Sequence, residues 1–376
     1  MLKAALFVAD AALVGMLRGM ASESNEFDII AVAERAPTGY DLARTLNTIT
    51  PDIILIELTN PDRDLGHAAA VHEFAPDIPI VGLASRDLQP ILDANPDYGV
   101  ASLAVWPFNV VMLEQAIERA VHRVAGRIHQ NLVAFLPGKA GSGSTTVVLH
   151  TAAMAAQQLQ QKVLVIEGDL HSGLLGMLLN LKPAHNVRDA LAAAPGMDAR
   201  NWEKYVISAH GVDFLITDPA VKEPIPSWTH YYQLLRFATP QYALIMVDLP
   251  EIVNSATAEA VRTARAVYVV TTPELPSLRL AHQRCQELDS WGVDASRIQV
   301  ILNRWHKHDM SAQNAEEVLD RPVALTLRND YRTVQEAIEK AAPVSAASDL
   351  GQTYLKFART LTGTQPKKGF MGLFRR

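Results

Sequence analysis

Eight consecutive residues, Lys139, Ala140, Gly141, Ser142, Gly143, Ser144, Thr145 and Thr146, hold the densest chemistry in this chain. Two glycines among small residues let the backbone curl until successive N–H groups point inward, and the positive end of a following helix adds to them. Such a cradle takes an anion, above all a phosphate. Thr145 stands where a phosphate-loop hydroxyl meets magnesium. The common loop GxxxxGK[ST] has a lysine just before that hydroxyl, and here the position is Ser144. A point charge near the β- and γ-phosphates is therefore missing, so weakened binding is expected and hydrolysis is in doubt. An ordinary glycine-containing strand-to-helix turn is the plainer alternative.

Two acids follow at suitable distances. Asp169 ends the apolar run in KVLVIEGDLHSG, two residues after Glu167, and Asp248 ends the one in YALIMVDLP. An acid after a buried strand can hold a magnesium shell or orient a water. It can equally cap the next turn, and both readings stay open for Asp169.

These residues need strands to position them. LVAFLP (132–137), and runs near 163–167, 213–217, 243–249, 266–271 and 298–303, predict a parallel sheet with the loop at its C-terminal edge. The first 125 residues predict a second doubly wound unit, with strands at 4–9, 27–33, 52–58, 79–85 and 100–106, each expected to be buried on both faces. A helix over about 110–128 leads into the second set. The expected division is 1–129, 130–362, and a tail at 363–376. The fold class is α/β throughout.

Composition narrows the function classes. Hydrophobic residues make up 49% of 376, which suits packed cores. A single cysteine, Cys285, excludes an intramolecular disulfide framework and a multi-cysteine metal site; it fits a reducing cytoplasm and reads as structural. Residues 1–130 carry 9 Lys+Arg against 17 Asp+Glu, and the remainder 25 against 23. That balance disfavours DNA as a partner. No run reaches the roughly 18 apolar residues of a membrane span. His306 and His308 flank Lys307 without a metal-binding frame and read as a solvated loop.

With these motifs in order, residues 131–345 resemble the MinD/ParA superfamily. KAGSGST is similar to its deviant phosphate loop KGGxGK[ST], with Ala140 for a glycine and Ser144 for the second lysine. The resemblance implies that Lys139 reaches the partner's phosphates across a nucleotide-sandwich homodimer. It further implies that ATP and Mg2+ are the cofactors, that Asp169 positions the attacking water, that Thr145 and Asp248 serve the metal, and that Asn303 and Arg304 border the adenine. The segment 329–343 resembles the family's closing loop and helix.

The N-terminal unit resembles a flavodoxin-like response-regulator receiver with its chemistry removed. PDIILIEL is similar to the strand that ends in the phosphoacceptor Asp, but ends in Glu57. The acidic pair is reduced to Ala9 and Asp10, the hydroxyl position is Ala84 beside Ser85, and the lysine position is Trp106. A pseudo-receiver used for contacts is expected; a plain flavodoxin-like domain is the alternative.

The tail KKGFMGLFRR puts Phe370, Leu373 and Phe374 at helical spacing between basic ends. It resembles the MinD membrane-targeting tail, which implies inner-membrane lipid as a partner. A frayed or packed terminus is the plain alternative. A degenerate receiver followed by such a nucleotide domain resembles the TadZ/CpaE family of Tad (Flp) pilus assembly. That implies a localisation factor, peripheral on the inner membrane or at a cell pole, which recruits secretion components. An active MinD-type ATPase cycling on membrane and a ParA-like DNA-partition ATPase are the competing readings.

Overall fold

The computed structural model describes residues 1–364 apart from 35, 36, 38, 126, 127, 222, 223 and 253. The chain divides into two compact units, Met1–Arg127 and Ile128–Arg376.

The first unit contains β1 (Leu2–Phe7), α1 (Ala11–Glu23), β2 (Phe27–Ala33), α2 (Gly39–Ile49), β3 (Ile53–Glu57), α3 (Pro61–Phe74), β4 (Ile80–Ala84), α4 (Gln89–Ala94), β5 (Val100–Val105) and α5 (Val110–Ala125). The strand order is β2-β1-β3-β4-β5, all parallel, which is the flavodoxin-like doubly wound order. Strands β3 and β4 are apolar runs covered on both faces, as expected. Strand β2 departs from that expectation. It is one of the two edge strands, its burial alternates, and Ile30 and Val32 are exposed. One of its faces, carrying Asp28, Ile30 and Val32, is exposed, and the acid in FDIIAVA marks that face.

The second unit holds β6 (His129–Pro137), α6 (Ser144–Leu159), β7 (Val163–Glu167), β8 (Ile207–Ala209), β9 (Val212–Leu215), β10 (Leu244–Asp248), β11 (Ala264–Thr271), β12 (Ile298–Trp305) and β13 (Val323–Arg328). Its order is β13-β12-β11-β6-β10-β7-β9-β8, parallel except for β8 against β9. Central strand β6 shows why the sheet forms. Leu132, Ala134 and Leu136 enter one core, while Val133 and Phe135 enter the other, so helices cover both faces. Strand β10 repeats the alternation, with Ile245 and Val247 on one side and Leu244 and Met246 on the other.

Helix α6 runs beneath the second core with Val147, Val148 and Ala152 to Ala156 all buried. Alanines on that helix let the C-terminal helix Asp349–Thr362 approach closely. His150 is enclosed between them; burial pulls its pKa down to about 4, so it packs as a neutral ring against Tyr354. Its Nδ1 accepts the Val344 N–H at 3.3 Å, which ties α6 to the segment before that helix. Two strands escaped the sequence reading. Strand β8 is three residues long, and β13 is half-buried and follows Pro322.

Candidate functional site

The phosphate-loop residues lie between the end of β6 and the start of α6. Gly141 (φ 78°) and Gly143 (φ 91°) both take the left-handed conformation that a side chain disfavours. Gly143 has a second constraint: a Cβ there would lie 2.4 Å from Nδ2 of Asn303. That amide donates to the Ser142 carbonyl at 2.8 Å, so Asn303, 8% exposed near the end of β12, braces the loop from two strands away. The sequence reading placed Asn303 beside a base and missed this bracing, because nothing local links residues 142 and 303.

Ser144 begins α6 and is buried. Its Oγ donates to Oδ1 of Asp248 at 3.0 Å. The residue in the lysine's place therefore holds the acid at the end of β10. Thr145 also bonds Asp248 through its side chain. Burial pushes the Asp248 carboxyl up to about 7, with the charges of Glu167 and Asp169 adding to it and the two hydroxyls opposing.

Glu167 is deeply buried at the end of β7. Its Oε1 accepts Leu175 N–H (2.8 Å) and its Oε2 accepts Thr217 N–H (2.7 Å), so one carboxylate pins two segments behind the cleft. Burial still raises its pKa despite those bonds. Asp169 is half-buried, and its Oδ1 accepts the N–H groups of His171 (3.1 Å) and Ser172 (2.8 Å). The turn-capping arrangement is thus realised in this structure. A carboxylate in such a turn keeps a second oxygen for a ligand.

These groups line one cleft of about 730 Å³, formed by residues 140–146, the Glu167–Leu174 segment, Asp248–Ile252 and Arg304. An adjoining pocket of about 380 Å³ shares Gly143, Thr146 and Arg304 and adds Asn303, Arg328, Asn329 and Tyr331. Together they offer a cleft lined by the loop and the acids and a smaller side chamber, room enough for a nucleotide. Lys139 lines neither. Its charge acts on Glu274 at the start of the helix Leu275–Ser290, where a bond from Thr272 is the main cause of that carboxyl's lowered pKa.

The residues fit a magnesium nucleotide. Three acids converge on the cleft, Ser142 Oγ is fully buried without a partner, and the loop's glycines leave backbone donors free of side chains. No group of three or more His, Cys, Asp or Glu among the described residues forms a metal cage. A magnesium ion there would keep waters and phosphate oxygens beside Asp248 and Thr145.

The corresponding corner of the first unit is differently disposed. Glu57 accepts Ala9 N–H (2.8 Å) and Asp10 N–H (3.2 Å), and Thr59 Oγ1 donates to it at 2.6 Å. Asp10 caps α1 by accepting Ala12 N–H and Leu13 N–H. Both acids are thus spent on local structure. Trp106, 52% exposed, stands edge-on to Phe108 beside a 300 Å³ hollow that also contains Ser85. Cys285 is buried, and burial pushes its thiol up to about 12, in keeping with a structural role. His306 lies in an exposed turn, bonded to Asp309. The tail residues Phe370, Leu373 and Phe374 lie outside the described residues.

Comparison with known proteins agrees with this geometry. No protein-family model matches the chain. A septum site-determining protein MinD from Thermotoga maritima is 27% identical over 186 residues, 47% of this chain and 65% of that protein. The chain thus spans just under two thirds of that relative. A crystal structure of a ParA family ATPase from Chlorobium tepidum is 24% identical, covering 61% of this chain and 98% of that one, with a TM-score of 0.56. MinD from Pyrococcus horikoshii, solved in complex with Mg-ADP, is 21% identical over 61% of this chain and 95% of its own, with a TM-score of 0.50. The second unit has the fold of MinD/ParA P-loop ATPases.

Proposed function

We propose that the chain is an ATP-binding positioning factor of the TadZ/CpaE kind. It holds Mg-ATP in the second unit, pairs with a second copy around it, and locates Tad (Flp) pilus secretion components at the inner membrane or a cell pole. Hydrolysis is slow or absent. The observation that carries this reading is Ser144: a neutral hydroxyl bonded to Asp248 stands where the fold's catalytic lysine would be. Mg-ATP brings the cation that the clustered acids lack, while the transferring phosphate loses one of its electrostatic clamps.

In that complex the loop N–H groups and Ser142 Oγ hold the β-phosphate region. Thr145 and Asp248 would hold the metal, and Asp169 would serve the terminal phosphate with its spare oxygen. Arg304 and the side chamber take the base. Lys139, which lines neither pocket, would serve the partner's phosphates.

Calorimetric titration with ATP and magnesium, paired with oligomer mass, tests this directly. Binding with doubling of mass and little phosphate release is expected. Rapid turnover stimulated by lipid or a partner would favour the MinD-type cycling enzyme instead. Salt-sensitive binding to arbitrary DNA would point to partition, which the net charge of -6 disfavours.

Two expectations concern the remaining parts. The tail is proposed as a weak amphipathic anchor that gains avidity when two copies pair. Full chain plus ATP should float with anionic liposomes, and a variant ending at Gln365 should stay at the bottom; equal flotation discards the anchor. The first unit is proposed as a pseudo-receiver for protein contacts. Acetyl phosphate should leave no hydroxylamine- and base-labile label on it, since Glu57 already accepts three hydrogen bonds. Label that disappears in Glu57→Gln would show a working phosphoacceptor.

A further inference from the structure

Arg188 has no part in the cradle, yet it is 3% exposed. A buried guanidinium is costly unless its donors meet acceptors. It sits in the helix Val187–Ala193, which is fixed by the Asn186–Asp189 capping box and by Val187 N–H on the Ile216 carbonyl (2.9 Å). From that anchored base, Nη2 donates to the Leu170 carbonyl at 3.1 Å and Nη1 to the Pro224 carbonyl at 2.9 Å. The first carbonyl belongs to the turn closed by Asp169, and the second precedes Ile225 on the cleft's rim. Thr217 Oγ1 holds the neighbouring Asp169 carbonyl at 3.0 Å, so consecutive carbonyls of the turn are both gripped from behind. Burial raises the pKa of Tyr231, whose hydroxyl also feels the charges of Arg188 and Asp169.

We infer that Arg188 is a positioning residue that joins the Asp169 turn to the rim at Pro224–Ile225, so that nucleotide contact at the turn is transmitted to the apolar rim. This rests on the reading of the cleft as an Mg-ATP site. The guanidinium suits the task because its planar fork reaches two carbonyls at once from a rigid stem. The rim segment it holds is apolar and open at Ile225, 42% exposed, and faces a cleft also lined by Ile252 from the loop after β10. A ligand that draws the turn inward therefore moves the rim with it.

Hydrogen exchange with and without Mg-ATP on the full chain tests the link. In the wild type, Mg-ATP should slow exchange in residues 169–175 and, in parallel, in 224–230. In Arg188→Met, the first segment should still be protected and the second should not, with ATP affinity within about threefold of wild type because no cradle donor is lost. Arg188→Lys, whose point charge cannot span both carbonyls, should retain only part of the rim protection, and it serves as the readout should the methionine variant fail to fold. Equal protection of both segments in the variants overturns the inference, as does protection confined to the turn in the wild type. A wild type that binds no Mg-ATP overturns the reading of the site and this inference with it, a result distinct from binding with unlinked segments.

Discussion

Ser144→Lys is expected to tighten Mg-ATP binding by about tenfold to a hundredfold, the range of a charge-assisted hydrogen bond to phosphate at about 1.5–3 kcal/mol. The substitution removes the 3.0 Å bond from Ser144 to Asp248, a neutral-donor contact worth roughly 1–2 kcal/mol. The ammonium offsets that loss, because it can pair with the same carboxylate and draw its pKa back toward the ordinary range. With nucleotide present the ammonium faces the phosphates, so the net change favours binding. Turnover should rise as well, since the new charge stabilises the transferring group. Calorimetry and phosphate release measure both. Unchanged affinity would mean that position 144 does not face the phosphates, and the account of the missing lysine would fall.

Asp248→Asn tests the electrostatics of the cleft. A carboxyl raised from 3.8 to about 7 is protonated more readily in the folded chain than in the unfolded one. The folded state therefore binds the extra proton between those values, and its stability falls as pH rises from about 4 to about 7, then levels off. The full penalty is about 4 kcal/mol at 1.36 kcal/mol per pKa unit. Asparagine removes the charge, so the stability difference between variant and wild type should shift in the variant's favour by up to that amount between pH 4 and pH 8. Denaturant unfolding followed by tryptophan fluorescence suits this measurement, because Trp202, Trp228, Trp291 and Trp305 all lie in the second unit. A difference that does not change with pH would show that Asp248 is ionised normally. Magnesium and ATP should reverse the trend, since the cation favours the carboxylate that asparagine lacks.

Much of this architecture is legible in the residues. Runs such as LVAFL and LIMVD are short, apolar and bounded by turn residues, so the parallel sheet and its order of motifs follow from composition and period. The glycines at 141 and 143 announce the left-handed turns they make. What stays hidden depends on distant partners. The role of the Glu167 carboxylate stays hidden until Thr217, fifty positions on, donates to it. The bond from Asn303 to Ser142 spans 161 positions. Arg188 carries one local signal, a second charge next to the capping acid Asp189 in the short helix VRDALAA, but its purpose appears only when Leu170 and Pro224 meet it. Strand β8 is too short for any period to register.

That short strand has a consequence for how copies of the chain meet. A long flat sheet edge invites β-addition by other chains and, in time, fibrils. At the β8 end the exposed backbone is three residues long and runs antiparallel to its neighbour, and Ser208 is tied back to Asp213 within the hairpin. Stacking copies edge to edge at this margin gains few ladder bonds, so crowding many copies at one cellular location carries little risk of runaway polymerisation from this side of the sheet.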